Sequence, residues 1–113
     1  MSVAALSTLS QTEPLKTMVE RIVNEFDPLR IILFGSRARG EARADSDYDL
    51  LVVLSQVTDK RRTTIEIRRT LRDVEASKDI IVTTPEEIKT RGNILGLVLR
   101  PALREGKLIY EKG

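Results

Sequence analysis

The sequence predicts an α/β (α+β) fold, a small mixed β-sheet flanked by helices. Three observations carry this. Short apolar runs at 30–34, 50–54 and 79–82 read as buried strands, and an amphipathic stripe precedes the first of them. Helical periodicity returns between the second and third runs. With 113 residues, the chain suits one domain, 1–113, and leaves no room for a second.

Residues 1–10 are small and polar and read as a flexible, frayed tail. Leu15, Met18, Val19, Ile22, Val23 and Phe26 then recur at helical spacing and predict the first helix. Ser10 and Glu13 fit a capping box, Pro14 suits a first turn, and Asp27-Pro28 ends the helix. Arg30 to Phe34 is a strand that stops at Gly35-Ser36. The polar, glycine-punctuated stretch 35–48 reads as a loop with room for one helical turn. Leu50 to Leu54 is the second strand, entered through Asp47-Tyr48-Asp49. Thr58 to Ala76 reads as a helix with Thr63, Ile67, Leu71 and Val74 on its apolar face; its arginines, from Arg61 to Arg72, read as a solvated face.

Asp79 to Val82 is the third strand. Thr84-Pro85-Glu86-Glu87 is a helix start with Thr84 as cap and glutamate at N3. That helix breaks near Gly92. Asn93 can cap another, Ile94 to Leu99 is apolar all round and so predicted buried, and Pro101 splits the segment. Lys107 to Tyr110 is the last strand.

Composition narrows the chemistry. The chain has no cysteine and no histidine, which removes disulfides, thiolate metal sites, cysteine nucleophiles and imidazole bases. An enzyme of this composition must use carboxylates, hydroxyls, Lys, Arg and a hard metal ion. Net charge is +2, a small field for a dedicated nucleic-acid binder. No apolar run spans a bilayer and the N-terminus lacks the pattern of a signal peptide, so a cytoplasmic protein without membrane contact is expected.

Asp47 and Asp49 stand out at the start of the second strand. A period of two puts both on one face, with Cα atoms about 6.5–7 Å apart. Asp79 opens the third strand and faces the same cleft if the two strands are neighbours. Three carboxylates at strand ends suit hard divalent cations, and two such ions can clamp an in-line phosphoryl displacement. Gly35 lets the backbone approach a phosphate closely, and the Ser36 hydroxyl can hold phosphate oxygens. The GxxxxGK[ST] loop is absent. Arg37, Arg39 and Arg43 follow, and Arg39 is the one favoured for a phosphate or partner role.

Gly35-Ser36, ten residues, then Asp47-x-Asp49 is the GS-x10-DxD signature of the nucleotidyltransferase superfamily related to DNA polymerase β. The string FGSRARGEARADSDYDLLV and the ending ALREGKLIYEKG resemble the minimal nucleotidyltransferase (MNT) proteins over roughly residues 15–112. The resemblance implies the polymerase β-like fold in its minimal form. It implies ATP as substrate, with Mg²⁺ (two ions) held by Asp47, Asp49 and Asp79. Gly35 and Ser36 would hold the β/γ-phosphates, and Asp79 would help activate an acceptor hydroxyl. Such stand-alone domains pair with HEPN-domain toxins, and the known version transfers AMP to a toxin tyrosine, which implies an antitoxin in a hetero-oligomer. A catalytically idle antitoxin and an aminoglycoside-type nucleotidyltransferase are the alternatives. A DNA-binding repressor is weaker, for want of a helix-turn-helix signal.

Overall fold

A computed structural model describes residues 5–6, 12–91 and 105–113. The elements are β1 (Ala5–Leu6), α1 (Leu15–Phe26), β2 (Arg30–Phe34), α2 (Ser36–Arg39), β3 (Tyr48–Val53), α3 (Lys60–Thr70), β4 (Lys78–Thr83), α4 (Pro85–Arg91) and β5 (Lys107–Glu111). The predicted capping residue Ser10 and the predicted buried segment 94–99, with its breaks at Gly92 and Pro101 and its cap Asn93, lie outside the described residues.

One five-stranded sheet runs in the order β1-β5-β2-β3-β4. β3 and β4 are parallel and every other pair is antiparallel, so the sheet is mixed as expected. The parallel pair requires a crossover, which α3 supplies. Side-chain alternation gives the sheet two covered faces. Ile31, Leu33, Leu50, Val52, Ile80 and Val82 pack with Leu15, Met18, Val19 and Ile22 of α1 and Ile67 of α3. Ile32, Leu51 and Val53 face the other way, with Phe34, Ile81 and Ile88 of α4 against them. This double cover explains why the strands read as unbroken apolar runs rather than as alternating ones.

Three expectations change. Ala5 and Leu6, read as tail, pair antiparallel with Glu111 and Tyr110 of β5; two residues of strand carry no period of their own. Helix α1 has Pro14 at its N-cap without a side-chain cap bond. Its first turn is instead closed by Glu13, whose Oε1 accepts from the Thr17 N–H at 3.1 Å and the Thr17 hydroxyl at 2.6 Å. The third change is the length of α3, which ends at Thr70 rather than Ala76. The Leu71 N–H is shared between the Ile67 and Arg68 carbonyls, both at 3.2 Å, and Arg72 N–H reaches Arg69 at 3.2 Å. The helix thus tightens and unwinds, and Leu71 and Val74 continue its apolar face from a turn. Arg21 of α1 holds that junction by donating to the Thr70 carbonyl at 3.1 Å and to Asp73.

The predicted cap of α4 forms: Thr84 Oγ1 accepts from the Glu87 N–H at 3.1 Å. Glu87 also accepts from Thr83, the buried threonine at the end of β4, at 2.7 Å, and pairs with Lys60 of α3 at 2.6 Å. None of the described helices is long and apolar enough to cross a membrane.

Candidate active site

The site forms where β2 ends and where β3 and β4 begin. Phe34 is the register partner of Asp49, and Asp49 is the register partner of Asp79 on the parallel neighbour. Residues in register on adjacent strands share a face, and strands lie about 4.8 Å apart. Asp49 and Asp79 therefore stand side by side, on the face that carries Leu51 and Ile81 further along the strands. Asp47 lies one residue before β3, exposed, and its charge acts on Asp49.

Asp49 is partly buried, and its carboxyl is pushed above the ordinary value. Burial is the first cause, the negative charges of Asp79 and Asp47 come next, and Arg39 partly offsets them. Two like charges thus act on one partly buried carboxylate. A divalent cation relieves that repulsion and prefers carboxylate oxygens, so the donor set fits such an ion, with Asp47, Asp49 and Asp79 as the residues that would hold it. As the side chains stand, no group of three or more carboxylates among the described residues is close enough together to hold a metal ion, so Asp47 and Asp79 would have to turn toward Asp49 to do so. Asp79 is engaged elsewhere: its Oδ1 accepts from Arg68 Nη2 at 3.2 Å.

Gly35 is at φ 74°, ψ −158°, a backbone region open essentially to glycine. A Cβ there would overlap Oδ2 of Asp49 and lie 3.1 Å from its Cγ. The glycine thus lets the β2–α2 turn lie directly on the carboxylate. Its carbonyl accepts from both the Ala38 and Arg39 N–H groups, at 3.1 and 3.2 Å, which fixes the turn. Ser36 follows as the first residue of α2, partly buried, with its carbonyl bound by the Glu41 N–H at 2.9 Å. Its hydroxyl makes no hydrogen bond among the described residues and is available to a ligand.

The arginines divide their work differently from the sequence reading. Arg37 is a loop staple. Its guanidinium donates to the Ser46 carbonyl at 2.9 and 3.1 Å and to the Arg43 and Ala44 carbonyls at 3.3 Å, and it lies 3.9 Å over the Tyr48 ring. It holds the 43–46 segment that delivers Asp47 to the site. Arg39 is exposed, donates to Glu41 at 2.7 Å and feels the charges of Glu105 and Asp49. It borders the carboxylates without touching them. Arg43 makes no side-chain bond among the described residues.

Sequence reasoning missed the roles of Arg37 and Arg68. Both depend on which carbonyl or carboxylate the fold brings within reach, and neither leaves a local signal. Loss of Arg37 strands three carbonyls and removes a cation–π contact. The Arg37→Ala variant is expected to lose about 1–3 kcal/mol in urea unfolding. Lysine cannot fork to several carbonyls, so Arg37→Lys recovers only part of it. A fully stable Arg37→Ala chain would contradict the staple.

The family profile described as "Polymerase beta, Nucleotidyltransferase" matches residues 16–113, and the chain belongs to that nucleotidyltransferase family. No curated protein sequence matches it significantly. Among solved structures, a Sulfolobus solfataricus protein classed as a nucleotidyltransferase is 24% identical with a TM-score of 0.61, over 86% of this chain and 77% of that one. A toxin–antitoxin structure with AMP-PNP gives 17% and 0.61, over 86% and 73%. A tyrosine-to-alanine mutant of the toxin–antitoxin pair MntA-HpeT gives 16% and 0.63, over 89% and 75%. At these identities the likeness establishes a shared fold. The chain has the polymerase β-like nucleotidyltransferase fold, and it is a nucleotidyltransferase.

Proposed function

We propose that this protein transfers a nucleoside monophosphate, AMP from ATP, to a hydroxyl of a partner protein, a tyrosine of a HEPN-family toxin, and so acts as its antitoxin. The observation that carries the catalytic part is the register of Asp49 with Asp79 beside the Gly35 turn. Two Mg²⁺ ions held by Asp47, Asp49 and Asp79 would supply charge neutralisation at the α-phosphate and lower the barrier to attack. Gly35 and the free Ser36 hydroxyl receive the β/γ-phosphates, and Arg39 stands at the border of the carboxylates to meet the triphosphate. The acceptor oxygen gives up its proton near Asp79 and bonds to the α-phosphorus, and pyrophosphate leaves. Positioning and electrostatics carry this reaction, so a chain without histidine can perform it.

The toxin–antitoxin assignment draws on the fold shared with the MntA-HpeT structures and the AMP-PNP complex.

The test is the intact mass of the partner after co-expression. Wild type is expected to add one or more AMP masses, and Asp47→Asn with Asp49→Asn none. An unmodified partner that both forms still neutralise would replace catalysis with blocking. Labelling of an aminoglycoside by the chain alone would replace the protein acceptor.

A further inference from the structure

Arg68 makes the only ion pair to any of Asp47, Asp49 and Asp79 among the described residues. Its neighbours Arg61, Arg62 and Arg69 on α3, and Arg72 just beyond it, form no ion pair there. The pairing is therefore specific to the helical position that faces the start of β4. It reaches Asp79, the carboxylate in register with Asp49.

We infer that Arg68 positions Asp79 and competes with the divalent cation for it, an inference that rests on the metal-dependent reading above. Without a cation, two carboxylates on adjacent strands repel each other. The guanidinium at 3.2 Å offsets that repulsion and holds Asp79 in one rotamer. With a cation, the Asp79 carboxylate would be needed as a ligand, and the Arg68 guanidinium would compete with the ion for its charge. The contact is built to be released. It is a single N–H···O bond rather than a bidentate fork, and both side chains are about half exposed, 51% and 52%. Exposed pairs of this kind are weak and easily exchanged. Arg68 thus keeps the carboxylate set together between turnovers and yields it when the ion arrives.

The experiment is Mn²⁺ binding to the full chain without nucleotide, followed by the electron paramagnetic resonance of free Mn²⁺ at low ionic strength. Arg68→Ala is expected to tighten binding about threefold. Arg68→Lys should fall between it and wild type. Arg69→Ala removes the same charge one residue along, where no carboxylate is engaged, and should change affinity much less. In an Asp79→Asn background, Arg68→Ala should have no effect.

Several results overturn the inference. They are unchanged or weaker Mn²⁺ binding by both Arg68 variants, equal effects of Arg68→Ala and Arg69→Ala, or persistence of the Arg68→Ala effect without Asp79. If wild type binds Mn²⁺ and the Arg68 variants match it, this inference alone fails. If wild type binds none, the metal-dependent reading fails with it.

Discussion

Replacing Gly35 by alanine is expected to destabilise the protein by about 3 kcal/mol and to abolish most of its transferase activity. Two independent faults add. The backbone at φ 74°, ψ −158° excludes an L side chain, which costs about 1–3 kcal/mol. The new methyl also has nowhere to go, because it would overlap the Asp49 carboxylate. Relief requires moving either the turn that carries Ser36 or the side chain of Asp49. Stability and chemistry therefore fall together. Gly40→Ala separates the two faults. Gly40 also has positive φ, 75°, but open space around it, so that variant should lose only about 1 kcal/mol and keep its activity. Urea unfolding and the partner-mass assay read both variants. A Gly35→Ala chain that folds as well as Gly40→Ala and still modifies its partner would refute the close approach at Asp49.

Much of this arrangement is legible in the sequence, for physical reasons. The α1 stripe from Leu15 to Phe26 reproduces the helix because one face is buried along its whole length. The 30–34 run coincides with β2, since a central strand covered on both sides must be apolar throughout. The Gly-Ser and Asp-x-Asp spacing marks Gly35 and Asp49, a strand start marks Asp79, and the sheet brings all three together because β3 lies between β2 and β4. That order is a tertiary fact. The sequence offers Asp79 as a candidate without saying that its strand is the parallel neighbour of β3.

What escaped reading is what the fold decides. Ala5 and Leu6 join the sheet through β5, about a hundred residues away, and two residues cannot announce a strand. The sequence pattern carries α3 past its end at Thr70, because Leu71 and Val74 keep helical spacing inside a turn. Arg37 and Arg68 sit in arginine-rich stretches where composition cannot separate a staple or counter-ion from a solvated charge. Their partners, the 43–46 carbonyls and Asp79, identify them only in three dimensions.

Asp49→Asn is expected to lower transferase activity by about 10³-fold or more while stabilising the cation-free protein. The loss follows from removing a charged oxygen at the point where the Gly35 turn, Asp79 and Asp47 converge. The gain follows from the sign of the carboxyl's shift. Burial, then Asp79 and Asp47, raise the folded pKa above the unfolded one. The fold therefore holds the proton more tightly than the unfolded chain. The stability linked to that proton is fully present below the unfolded value of about 3.9 and is lost as pH rises through the folded value. At pH 7 the ionised Asp49 opposes folding, and the neutral amide does not. In chelator at pH 7, Asp49→Asn should melt roughly 2–4 °C above wild type, and the gap should close as the pH falls toward the folded pKa. Mg²⁺ should raise the Tm of wild type and leave that of Asp49→Asn nearly unchanged. A lower Tm for Asp49→Asn in chelator at pH 7 would mean that Asp49 is a structural carboxylate with its charge already satisfied. The expected order instead has the chain keeping an unfavourable charge where only a cation can make it favourable.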